Sequence, residues 1–159
     1  MENDVELLAE RLEKERQKTR DFFSEIQADK WKEQVYSDGA AWTIRQVFAH
    51  IVEVERSVPR LISNILKGSA GVPVDFDLER YNKSQVNKMD MLSSDELFVL
   101  FNERREDTIN MVKSLSQDDL EKEGRHAMLG NANILEMFRM IYMNAKLHQR
   151  DIKQLLSES

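Results

Sequence analysis

Three polar residues stand where metal or hydrogen-bond chemistry could occur: His50, Asn144 and His148. Asn144 and His148 are four positions apart, and on a helix that spacing stacks them on one face. A third donor from another helix, His50, would make three protein ligands with coordination positions left open, as a catalytic zinc site requires. Imidazole suits zinc, nickel, copper and iron, whereas a carboxamide oxygen is a weaker, neutral donor for such metals. The same residues admit a plainer role. A buried imidazole without a partner is costly, and Asn144 could simply bond His148 inside the core. No residue is assigned a catalytic role.

These side chains depend on the helices that carry them. The last helix is expected over 133–156, capped by Asn133 with Glu136 three residues on. Its stripe runs Ile134, Phe138, Ile141, Ala145, His148, Ile152 and Leu155, so His148 lies within the apolar face and Asn144 at its edge. His50 belongs to a helix that opens with a capping box, Thr43 and Gln46, and a hydrophobic staple, Trp42 and Val47. Pro59 is expected to kink that helix and Gly68 to end it. A first helix is expected over 4–26 and a third from Ser93 and Glu96, again a capping box. Both have polar residues in mid-stripe, Glu15 and Thr19 in one, Arg104 and Thr108 in the other. A cross-layer pair of one of Arg104 and Arg105 with Glu15 is expected. The aromatics of the 28–41 loop, Trp31 and Tyr36, are expected to cap the core. The stretch 124–131 is expected to be a loop, with His126 a loop histidine. Met128, Met137, Met140 and Met143 read as core or dimer-surface residues.

Whether the histidines can meet is a question of topology. His50 lies ~10 Å from its helix start and His148 ~12 Å from its helix end, at ~1.5 Å per residue. If the two helices ran parallel, the histidines would sit near opposite ends. The long connection 68–92, with a short helix near Tyr81, could carry the chain across a bundle. An up-down-down-up order then brings both histidines to one level. The expected fold is therefore an all-α four-helix bundle, as one domain over 1–159.

Composition bounds the rest. The 159 residues are 41% hydrophobic and 33% charged, with 5 Gly, 2 Pro and no Cys. Cysteine chemistry is excluded, and a cytoplasmic location fits. The charged first twenty residues carry no secretory pattern, and no apolar run of ~18 residues offers a membrane span. A net charge of −6, with basic residues interleaved among glutamates, argues against a nucleic-acid face.

Trp42-Thr43 followed by His50, the helix they open, and a last helix with a ligand pair together resemble the DinB/YfiT-like family over about 5–156. The segment Arg125-His126-Ala127-Met128-Leu129-Gly130 resembles that family's lead-in to the last helix. The resemblance implies an up-down-down-up four-helix bundle, often a homodimer, with one His on the second helix and a His-x-x-x-His pair on the last binding a divalent metal. His50 and His148 match the outer positions, and Asn144 replaces the middle His. It implies a metal-dependent hydrolase or a thiol-dependent transferase or isomerase, acting on a small molecule with zinc or nickel at His50, Asn144 and His148. Glu53, one turn after His50, could assist. The alternative is a non-catalytic bundle whose metal site has degenerated and which binds a small molecule or protein partner.

Overall fold

In a computed structural model that describes residues 3–158, the chain forms helices α1 (Asp4–Ser24), α2 (Ile44–Leu66), α3 (Leu78–Lys88), α4 (Ser94–Lys113), α5 (Gln117–Glu121) and α6 (Ile134–Ser157), with a short β1 (Glu123–His126) and β2 (Gly130–Asn133) before α6. The expected domain 1–159 includes residues 1, 2 and 159, which lie outside the described residues. No described helix is long and apolar enough to cross a membrane.

The helix starts follow local chemistry. Thr43 and Gln46 form a reciprocal capping box on α2, and Ser93 and Glu96 another on α4. Asn133 accepts from the Glu136 amide to open α6. Each cap satisfies amides that a helix start leaves without partners. α2 runs on as helix through Pro59, and Gly68, just beyond it, takes φ +109°. α1 ends at Ser24, two residues short of the expected end.

Four long helices make the bundle. α1 and α2 each pack against both α4 and α6. Arg11 lies over the Tyr142 ring, Lys146 approaches Glu15, and Gln149 bonds Thr19. These pairs rise together in number, as in two helices running the same way. Phe48 meets Phe101, and Glu55 meets Arg105 and Thr108, so α2 and α4 also run alike. His50 meets His148 where α2 packs on α6.

Two apolar clusters fill the interior. One gathers Leu12, Ile62, Ile109 and Phe138, and the other Phe23, Phe48, Phe101 and Ile152, all buried. Burial of each such side chain contributes ~1.5–3 kcal/mol. Along the helices the clusters are separated by buried polar residues, among them Glu15, Thr19, Glu55, Arg105 and Thr108.

The crossover contains the short helix expected near Tyr81. This is α3, capped by Asp77, and the chain then leads into α4. The 124–131 segment is an antiparallel hairpin in which Glu123 faces Asn133 and His126 faces Gly130. Four-residue strands rich in Gly and Asn carry no alternating pattern, so local sequence reads as loop. Tertiary contact makes the hairpin: the Val72 amide donates to the Arg125 carbonyl, and the Arg125 amide to that of Ala70. A side chain at Gly124 would strike Ile65 Cδ1 at 2.4 Å.

Candidate functional site

His50 projects from the second turn of α2 and is 5% exposed. Trp42 covers it, with ring centroids 4.9 Å apart. His148 approaches from the C-terminal half of α6, its ring edge-on to His50 at 5.2 Å between centroids. Asn144, one turn before His148, is also buried. The three sequence candidates therefore meet in one place between α2 and α6.

The cluster is polar and incompletely bonded. His50 Nδ1 and Asn144 Oδ1 are enclosed, and neither has a hydrogen-bond partner. Asn144 lies close enough to His50 to favour its charged form, but the orphaned atoms mean that no well-formed His–Asn pair closes the site. Most buried polar atoms in folded proteins do have partners, so orphans of this kind call for an explanation. Burial is the main force on His50, pushing it down to about 3, with the nearby His148 acting in the same direction. Burial also lowers His148, against a smaller opposing effect of Asp151. Both rings are accordingly neutral at pH 7, the form in which imidazole binds a metal.

Tyr36 and Asp151 orient His148. The Tyr36 hydroxyl lies 2.6 Å from Asp151 Oδ2 and 2.8 Å from His148 Nδ1. A hydroxyl has one proton to donate, and the carboxylate takes it. His148 Nδ1–H must then donate to the Tyr36 oxygen, which leaves the lone pair on Nε2. Burial and Asp151 raise the Tyr36 pKa and keep the phenol protonated. An imidazole held through its other nitrogen in this way is typical of metal-binding histidines. Tyr36 thus joins the site while also packing against the core beside Trp31, which meets Phe23 and Phe48. Asp151 was visible as an acid three residues after His148. Tyr36 had no such signal, since it is 112 residues from its partner.

The donor set fits a divalent cation in kind: two imidazoles and one carboxamide oxygen. It is a weak set, because among the described residues no three of His, Cys, Asp or Glu gather to hold a metal. Glu53 does not join it. Its carboxylate takes two bonds from Arg56 and one from the Tyr81 hydroxyl. The polar mid-helix residues also serve other ends. Arg105 pairs with Glu55, not Glu15, and Arg104 bonds the Val52 carbonyl. Glu15 is met by Arg11, Lys18 and Lys146.

A cavity of about 300 Å³ opens beside His50 and Asn144. Its walls are mostly apolar, with Val54, Val58 and Leu61 on α2, Phe76 and Leu78 from the crossover, and Met140 on α6. Ligand pockets commonly have this character, an apolar lining with few polar groups. His126, expected as a plain loop residue, ends β1, lines the cavity and is 6% exposed. Met128 also lines it, whereas Met137 is in the core and Met143 is exposed.

Comparison with known proteins extends this picture. No curated protein sequence matches the chain. Among solved structures, the fold is similar to YfiT from Bacillus subtilis, described as a probable metal-dependent hydrolase with an unusual four-helix bundle topology. That similarity has a TM-score of 0.76 at 14% identity, over 97% of this chain and 86% of YfiT. It is also similar to a mycothiol-dependent maleylpyruvate isomerase, with a TM-score of 0.76 at 15% identity, over 96% of this chain and 63% of the isomerase. A histidine-to-alanine mutant of that isomerase matches to the same extent, with a TM-score of 0.75 at 13% identity. At these identities the likeness establishes the fold. The family model of the DinB superfamily matches residues 11–152, a span that holds α2 and α4 whole, most of α1 and α6, and the His50–Asn144–His148 cluster, and the chain belongs to that superfamily.

Proposed function

We propose that the protein is a metal-dependent enzyme of hydrolase or thiol-transferase type, with a divalent metal, zinc or nickel, held between α2 and α6 by His50, His148 and Asn144. The observation that carries this reading is the pair of orphaned buried atoms, His50 Nδ1 and Asn144 Oδ1, beside a His148 ring already oriented through its Nδ1. When bound, such an ion supplies Lewis acidity and lowers the pKa of a water or thiol. The chain's own residues do the remaining work. Tyr36 and Asp151 fix the His148 tautomer, Trp42 shields His50 from solvent, and the apolar cavity seats a small molecule and excludes water. The descriptions of YfiT and of the isomerase support metal dependence and a thiol co-substrate. An up-down-down-up helix order, a homodimeric assembly and a cytoplasmic location belong to the same proposal.

Elemental analysis of untagged protein tests it, followed by zinc and nickel titrations monitored by thermal melting. The expected result is near-stoichiometric metal that is lost in His50→Ala and in His148→Ala. A protein without metal, whose melting temperature is unmoved by either ion far above trace concentration, overturns it. Asn144 in the middle position favours a second reading, a bundle with a degenerate metal site that binds a small molecule without catalysis. A metal-free protein that still binds a small molecule in the cavity is the result this second reading expects.

A further inference from the structure

The cavity has a second polar end that a metal at His50 does not use. The hairpin docks beside the far end of α2, where Gly124 lies against Ile65 and Arg125 bonds Val72. His126 reaches the cavity from there. Its Nδ1 accepts the backbone amides of Met128 at 3.0 Å and Leu129 at 3.2 Å. An accepting Nδ1 places the ring proton on Nε2. That N–H has no acceptor among the described residues, although the side chain is 6% exposed.

A charge stands at the same end. Arg60 lines the cavity ten residues beyond His50 on α2, ~15 Å along the helix. It is exposed and has no ion pair or hydrogen bond among the described residues. None of the described residues lining the cavity is an Asp or Glu, although the chain carries 29 acidic residues and a net charge of −6. The cavity is thus apolar along its length and acid-free. It has an unpaired guanidinium and a fixed N–H donor at one end, and the His50–Asn144 cluster at the other.

We propose that this cavity receives a small monocarboxylate with an apolar body, its carboxylate held by Arg60 and the His126 Nε2–H. Charge-assisted bonds to a carboxylate are the strong class of hydrogen bond, and the planar guanidinium suits it geometrically. The apolar body lies against Val54, Val58 and Phe76, and its other end faces His50 and Asn144. That last orientation rests on the function proposed above; the capture of the carboxylate does not.

The test is calorimetric titration of the full chain with 4-phenylbutyrate and with the neutral 4-phenylbutan-1-ol, with and without zinc. The acid is expected to bind at least tenfold more tightly than the alcohol in both conditions. Arg60→Met, at an exposed position, should abolish that preference and leave the alcohol unchanged. His126→Asn keeps an acceptor for the Met128 and Leu129 amides but removes the Nε2–H, and should weaken the acid severalfold. Equal binding of acid and alcohol, binding of neither, or a preference that survives Arg60→Met overturns the proposal. Zinc binding without acid binding defeats only this inference. Acid binding without zinc binding defeats the metal reading and leaves this one standing.

Discussion

Glu55 and His50 lie five residues apart on α2, and each anchors a buried polar layer. In the Glu55 layer the bonding is closed. Arg105 Nε and Nη2 both donate to Glu55 Oε1, Nη1 donates to the Leu12 carbonyl, and Thr108 lies 3.4 Å from Oε2. Both charged side chains are essentially inaccessible, at 0% and 1%. In the His50 layer the bonding is open. Nδ1 and the neighbouring Asn144 Oδ1 lack partners, and the layer borders a cavity. Burial alone therefore does not mark a functional polar residue. A closed layer holds helices in register, whereas an open one beside a cavity has donors and acceptors left for a ligand.

The largest expected effect breaks the closed layer. Arg105→Met strands the Glu55 carboxylate and should cost ~3–5 kcal/mol in urea unfolding. Adding Glu55→Met should recover most of it, since a well-packed apolar pair can replace a buried ion pair. A loss below ~1 kcal/mol in the single variant would mean that the layer is not closed as described.

The open layer should show itself in acid. The folded pKa of His50, about 3, lies below its ordinary 6.5. Below pH 6.5 the unfolded chain therefore takes up the proton first. Stability is fully present above that pH and falls as pH drops toward 3. Between pH 7.5 and 5 the loss from His50 is ~2 kcal/mol, with His148 and His126 acting in the same direction. His50→Gln should remove the larger part of this slope in urea unfolding at the two pH values.

A third change sharpens the contrast by completing the open layer. Asn144→His replaces a carboxamide by imidazole, and zinc affinity by calorimetry should rise at least tenfold, ~1.4 kcal/mol. An unchanged affinity would show that position 144 does not face the ion. The smallest effect is expected from Tyr36→Phe. Loss of its hydroxyl should cost ~1 kcal/mol of stability. It should also release the His148 tautomer, which the ring nitrogen chemical shifts would report.

Much of the fold was legible because its signals are local. Thr43–Gln46, Ser93–Glu96 and Asn133 are read within one helical turn, and the structure uses each as a cap. The spacing of Asn144 and His148 is likewise a property of one helix. His50 could be matched to them because helix rise converts sequence position into height in a bundle, once a crossing connection is assumed. Polar mid-helix residues misled where several partners were available. Glu15 and Glu55 carry the same side chain, and only the packing of α2 on α4 gave Arg105 to Glu55.

What the sequence determined by itself was periodicity, helix starts and the chemical character of each stripe, since these depend on neighbours within a few residues. Tertiary structure alone decided that Tyr36 holds His148, that Gly-rich strands pair into a hairpin, and that Arg60 and His126 share an acid-free cavity. Each of those joins residues remote along the chain. Such contacts form only when the bundle closes, because it is then that loss of water makes an unpaired polar atom costly and partners are selected by position.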